Sequence, residues 1–211
     1  MKKVIILQKM LCVGDEVINN ASSIFNSHNI ETIYIPTSLS SSIEEFVYRD
    51  LTDTIQPIIR SFEQENIQPD AIYIGALDSI DQIDIAKTLF NVLGKESLKI
   101  VVPSLKSDDI YLEKMKELIL QADIIMPNIQ EACALLNKEQ LTNYSKQNIH
   151  QLLKDLIELG CTRVILRDIN IENEMVSYSY DKEKNSFIKY KNINNNLSSS
   201  FILCVELLKE N

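Results

Sequence analysis

Short runs of β-branched and aliphatic residues return along this chain, each followed by a segment whose apolar residues repeat with helical spacing. No other feature constrains the fold as tightly. Val4-Ile5-Ile6-Leu7, Thr32-Ile33-Tyr34-Ile35, Ala71-Ile72-Tyr73-Ile74, residues 98–102, Ile124-Ile125-Met126 and residues 163–166 read as strands. Helices are predicted over residues 15–27 and 51–66, from a cap at Asp78 or Ser79 to Gly94, over 111–121, from Pro127-Asn128 through Leu136, and over 145–159 and 200–209. Pro36 is expected to stop the second strand, with residues 37–42 as a polar, serine-rich loop. Residues 175–180 and 186–190 flank Asp181-Lys182-Glu183-Lys184-Asn185 and predict a hairpin added to the sheet. Such alternation predicts an α/β fold of three layers, a mainly parallel central sheet with helices on both faces, whose ligands bind beyond the strands' carboxyl ends. The 211 residues suit one domain over 1–211, and residues 192–200, rich in Asn and Ser, read as a flexible loop.

Charge and residue spacing remove several functional classes. Lys and Arg number 21 against 30 Asp and Glu, a net charge of −9, so the summed field repels nucleic-acid phosphates and anionic membranes. No apolar run approaches the roughly 20 residues of a membrane helix, and the opening apolar run is too short for a signal sequence, so the cytoplasm is the expected location. Cys12, Cys133, Cys161 and Cys204 form no CxxC pair and are expected to be buried free thiols. Gly14, Gly75, Gly94 and Gly160 lie too far apart for a GxGxxG or GxxxxGK loop. His28 and His150 are expected on helix surfaces and form no HExxH. No nucleophile elbow or triad spacing supports a hydrolase.

The most specific motif is Ala122-Asp123-Ile124-Ile125-Met126-Pro127-Asn128-Ile129-Gln130-Glu131-Ala132, with Leu135 three residues on. This ADxxxPNxxEAxxL pattern resembles the matching segment of ribokinase-superfamily vitamin kinases, above all pyridoxal and pyridoxamine kinases and their phosphomethylpyrimidine kinase relatives. The strand ending at Gly75, the turn Leu77-Asp78-Ser79-Ile80-Asp81-Gln82, and Gly160 before the strand at 163–166 resemble that family in the same order. The resemblance implies ATP and Mg²⁺ as cofactors and a pyridoxal-like small molecule as ligand. It places Asn128 and Glu131 beside the nucleotide phosphates, with Glu131 on the metal side. The residues alone leave a second reading open, a capping box in which Asn128 caps a helix and Glu131 reaches back to its amide.

The resemblance fails at the family's GTGD loop, whose glycine amides surround the transferred phosphoryl group and whose aspartate takes the proton of the attacking hydroxyl. Asn196-Leu197-Ser198-Ser199 aligns with that loop, so Ser199 stands at the aspartate position, and losing a positioned base costs on the order of 10² to 10⁴ in rate. Ser198 and Ser199 remain candidates for anion contact or for capping the last helix. Asp108, in the turn after the fourth main strand, is a candidate metal-proximal carboxylate, with a solvated loop charge as the other reading. Gln8, Lys9 and Thr37 fall on the family's substrate side. Arg167-Asp168 follow a buried strand near the nucleotide side and read as a local ion pair. The chain also ends where the family's closing elements begin, so the adenine pocket is expected to be incomplete. Together these departures lead to the expectation of a binding or regulatory relative that has lost phosphoryl transfer. The alternative is an active ATP- and Mg²⁺-dependent vitamer kinase with an atypical site. A homodimer is expected through the hairpin, where Val176, Tyr178 and Tyr180 share one face.

Overall fold

A computed structural model of the protein describes residues 1–12, 18–41, 47–106, 108–141, 144–171, 173–191 and 199–210, without the side chains of 18–20. Its elements are β1 (Lys2–Leu11), α1 (Ile18–Asn26), β2 (Ile30–Ser40), β3 (Tyr48–Asp50), α2 (Thr52–Gln64), β4 (Ala71–Ile74), α3 (Ile80–Leu93) and β5 (Leu98–Val101). They continue with α4 (Asp109–Ile119), β6 (Ile124–Ile125), α5 (Ile129–Leu135), α6 (Lys146–Ile157), β7 (Arg163–Ile171), β8 (Glu174–Asp181), β9 (Ser186–Lys191) and α7 (Ser199–Glu210). The strands form one sheet in the order β3-β2-β1-β4-β5-β6-β7-β8-β9. From β2 to β7 every neighbour is parallel, and β3, β8 and β9 add antiparallel margins.

The pleat sends alternate side chains into two cores. Ile5, Leu7, Ile72, Ile74, Val101, Ile125, Val164 and Leu166 face the layer built by α2 to α6. Val4, Ile6, Tyr73, Ile100, Ile124 and Ile165 face α1 and α7. This is why the inner strands read as unbroken apolar runs: both faces are covered. Every crossover returns its next strand in the same direction, so the carboxyl ends of β1, β4, β5, β6 and β7 line one edge, with the N-termini of α3, α4 and α5 close behind the same strand ends.

The structure corrects several expectations. β2 does not stop at Pro36 but runs to Ser40, shifting register against β1 between Gln8 and Met10. Proline is tolerated there because β3 pairs with β2 only at Ser38 to Ser40, so no ladder partner is lost on that side. β7 likewise runs past Leu166 to Ile171, with a shift against β8 between Leu166 and Ile169. The hairpin face expected to meet a second copy is closed by α6. Val176, Tyr178 and Tyr180 belong to the core, and Phe187 stacks on Tyr180 and on His150, whose ring lies parallel at 3.8 Å. His150 therefore packs against the hairpin instead of lying on a free helix surface. Cys133, Cys161 and Cys204 are buried, and burial pushes the Cys161 thiol up to about 12, whereas Cys12 is exposed. The expected first turn at 15–17 and the loop residues 192–198 lie outside the described residues.

Helix α7 is anchored by Phe201, which packs edge-on to Phe25 and against Tyr73, while Ser200 Oγ and the Tyr73 hydroxyl share a buried hydrogen bond of 2.9 Å. Phe201→Ala is expected to cost about 3–5 kcal/mol. At this chain length that lowers the melting temperature by on the order of 10 °C, measured by scanning calorimetry.

Candidate active site at the carboxyl edge of the sheet

Helix α5 begins at the carboxyl end of β6, and its first turn is a complete capping box. Asn128 Oδ1 accepts from Glu131 N at 2.8 Å, and Glu131 Oε2 accepts from Asn128 N at 2.7 Å. The capping reading of this pair is thus realised in full. Glu131 does more than cap, because both its oxygens also lie 3.3 Å from Arg167 NH2. Burial pushes the Glu131 carboxyl above its ordinary range, and the Arg167 guanidinium opposes that shift. The guanidinium is spent on three elements at once. Its Nε donates to the Met126 carbonyl at 2.9 Å, NH2 faces Glu131, and NH1 donates to Asp168 Oδ2 at 2.9 Å.

Asp168 is the residue that sequence spacing undervalues. It has a left-handed backbone, φ +58°, inside the irregularity where β7 slips against β8. Such bulges re-aim side chains, and Asp is among the few residues that adopt this conformation readily. The result is that Asp168 Oδ1 accepts a hydrogen bond of 2.6 Å from Ser199 Oγ at the first residue of α7. The expected local ion pair between Arg167 and Asp168 forms, yet it is one part of a chain running Asn128, Glu131, Arg167, Asp168, Ser199. The only hint in the sequence is that two charged residues follow directly on the buried run Val164-Ile165-Leu166. Beside this network lies a cleft of about 330 Å³ lined by Asn128, Gln130, Tyr144, Arg167, Asp168 and Asn170, among others. Ser198 lies outside the described residues.

The remaining candidates are distributed along the same edge and at its margins. Gln8 ends the buried part of β1 and packs so closely on Gly75 that a Cβ at residue 75 would meet Gln8 Cβ at 2.8 Å. Lys9 Nζ lies 5.2 Å from the centre of the Tyr48 ring. Thr37 is fully buried in β2, and Gln82 from α3 donates to its carbonyl at 3.2 Å and to Thr52 Oγ1 at 2.8 Å. Asp78 Oδ2 accepts from Ser38 Oγ at 2.7 Å and from the Tyr48 hydroxyl at 3.2 Å. Among the described residues five buried polar side-chain atoms have no hydrogen-bond partner, and two of them, Gln8 Nε2 and Thr37 Oγ1, lie in this region. Asp108 caps α4, its Oδ1 accepting from Ile110 N and Tyr111 N. Asp108 is exposed and precedes the helix, so it is a solvated charge that also caps, through one of its two oxygens. Among the described residues no group of three or more His, Cys, Asp or Glu is placed to hold a metal ion. Glu131 is committed to the start of α5 and to Arg167, whereas Asp108 caps α4 through Oδ1 alone.

Arg167→Met is expected to destabilise the protein by about 2–3 kcal/mol, because it strands two carboxylates at a partly buried edge. The pH dependence has a definite sign. The folded chain holds the Glu131 proton to higher pH than the unfolded chain does, so this group's contribution is complete below the ordinary carboxylate range and is lost as pH rises through the folded value. Removing Arg167 raises that folded value further. Chemical denaturation should therefore show a larger deficit at about pH 8 than at about pH 5.

Comparison with known proteins agrees with this fold. The family profile described as phosphomethylpyrimidine kinase matches residues 47–198. No curated protein sequence matches the chain. Among solved structures, a Bacteroides thetaiotaomicron protein assigned as a phosphomethylpyrimidine kinase superposes with a TM-score of 0.88 at 22% identity, covering 100% of this chain and 80% of its own. A second crystal form of it contains pyridoxal. Pyridoxal kinase of Bacillus subtilis, in an ADP complex, gives 0.79 at 18% identity, with 100% and 85% covered. Pyridoxal kinase of Staphylococcus aureus, with AMP-PCP and pyridoxal, gives 0.83 at 16% identity, with 100% and 81% covered. At these identities the structures establish a shared ribokinase-type fold, and no helix among the described residues is long and apolar enough to cross a membrane. With its profile match spanning most of the sequence, the chain belongs to the phosphomethylpyrimidine kinase family.

Proposed function

We propose that the chain binds a small heteroaromatic alcohol of the pyridoxal or hydroxymethylpyrimidine class at the β1 and β2 end of the edge and phosphorylates it from ATP bound at the α5 and β7 end. The observation that carries this reading is the pair of orphaned polar atoms, Gln8 Nε2 and Thr37 Oγ1. A buried donor or hydroxyl without a partner costs about 1–3 kcal/mol, which a ligand that bonds to these two atoms would recover. Gln8 pairs with Pro36, next to Thr37, where β1 and β2 shift register. The family membership supports phosphoryl transfer as the reaction. The cleft beside Asn128 and Arg167 is the natural seat for the nucleotide, and Mg²⁺ would accompany ATP on its phosphates.

A second reading, a binding or regulatory relative that no longer transfers phosphoryl groups, is favoured by Ser199 at the aspartate position and by the commitment of Glu131 to Asn128 and Arg167. Calorimetric titration with pyridoxal and then ATP with Mg²⁺, coupled to an assay for ADP and pyridoxal phosphate, separates the two. Binding with turnover supports the kinase, and pyridoxal binding without turnover supports the second reading. Absence of pyridoxal binding contradicts both for this ligand.

Removing the orphaned groups gives a signature that ordinary structural residues lack. Thr37→Val and Gln8→Leu are expected to leave the melting temperature unchanged or raise it, because each deletes an unsatisfied buried polar atom. The same variants should weaken pyridoxal binding by about tenfold each in calorimetry, the equivalent of one lost hydrogen bond.

A further inference from the structure

Resting on the kinase reading above, we propose that Asp168 is the terminal acceptor of the substrate hydroxyl's proton, reached through Ser199, so that a carboxylate from the bulge of β7 replaces the one missing from the loop before α7. Three features of the geometry point the same way. The Ser199 hydroxyl already donates to Asp168 Oδ1 at 2.6 Å, which leaves the lone pairs of Ser199 Oγ to accept from a substrate hydroxyl. The other Asp168 oxygen is fixed by Arg167 NH1 at 2.9 Å, so the carboxylate is held at both ends like the orienting acid of a proton relay. The backbone is bent for this purpose. The left-handed Asp168 within the strand irregularity, a conformation Asp adopts readily, is what turns the carboxylate towards α7. Ser199 opens a helix of 12 residues, whose positive end favours the charge that develops on a transferred phosphoryl group.

The step balances as follows. The substrate hydroxyl oxygen bonds to the γ-phosphorus of the nucleoside triphosphate while the bond from that phosphorus to the β-γ bridging oxygen breaks, and the nucleoside diphosphate leaves with the electron pair. The hydroxyl proton passes to Ser199 Oγ as the Ser199 proton passes to Asp168. Ser199 is regenerated, and Asp168 later returns its proton to solvent. The groups that contact Asp168 include Arg167 on its own strand, which in turn faces Glu131 from α5, and the hydroxyl of Ser199 on α7.

The test uses the full chain with pyridoxal and ATP. Asp168→Asn keeps the shape and tolerates the left-handed backbone. It should lower kcat by about 10²-fold or more while leaving the pyridoxal KM within about threefold, and remove the acidic limb of the pH profile. Adding Ser199→Asp to Asp168→Asn, which returns a carboxylate to the α7 position, should restore much of the rate and the acidic limb. Ser199→Ala, which leaves the Arg167–Asp168 pair intact, is the second variant and should also lose rate by an order of magnitude or more. A wild-type rate in Asp168→Asn or in Ser199→Ala overturns the relay while leaving the kinase reading standing. Absence of transfer by the unsubstituted chain overturns the kinase reading itself, and the relay with it.

Discussion

The guanidinium of Arg167 is the interaction on which the carboxyl edge depends. It is a cation drawn out of bulk water, with a side chain only 20% exposed, and it is tolerable there because every face meets an acceptor. Those acceptors come from different parts of the chain: the Met126 carbonyl after β6, Glu131 in the first turn of α5, and Asp168 in the bulge of β7, which in turn holds Ser199 at the start of α7. One side chain therefore sets the relative positions of two helix N-termini and two strand ends. A pair of this kind adds less to stability than its contact distances suggest, since desolvation offsets much of the attraction. Its effect here is positional, because each carboxylate is held in one orientation.

Much of the architecture is legible from sequence, and the reason is the sheet's burial. Val4 to Leu7 and Ala71 to Ile74 are apolar on every residue because helices cover both faces, and the helices between them carry caps at Ser79, Asn128 and Ser145 that hydrogen-bond as their residue types suggest. What periodicity misses is set by neighbours far along the chain. Pro36 does not end β2 because pairing with β3 on its open side involves only Ser38 to Ser40, and β3, three exposed residues, has no apolar pattern to announce it. Val176, Tyr178 and Tyr180 read as a free face because the helix that covers them, α6, belongs to an earlier part of the chain.

The site is legible only in part for a related reason. Asn128 and Glu131 are visible because a capping box has a fixed local spacing, and Ser199 because it aligns with a family loop. Asp168 has no such spacing. Its role depends on a backbone irregularity and on a hydroxyl 31 positions later in sequence, two features that neither composition nor periodicity encodes. The orphaned atoms of Gln8 and Thr37 are likewise a property of packing: the family resemblance singles out the two residues, and only the three-dimensional neighbourhood reveals that nothing among the described residues completes them.

The relay we propose keeps a carboxylate at the point of phosphoryl transfer, supplied by a different strand. The most direct measurement is a crystal structure of the protein with pyridoxal and a non-hydrolysable ATP analogue. The account predicts the pyridoxal hydroxymethyl oxygen within hydrogen-bond reach, about 3 Å, of Ser199 Oγ, with Asp168 still accepting from that serine. A hydroxymethyl group turned away from Ser199, or a nucleotide whose γ-phosphate lies on the far side of Arg167 from α7, would contradict it.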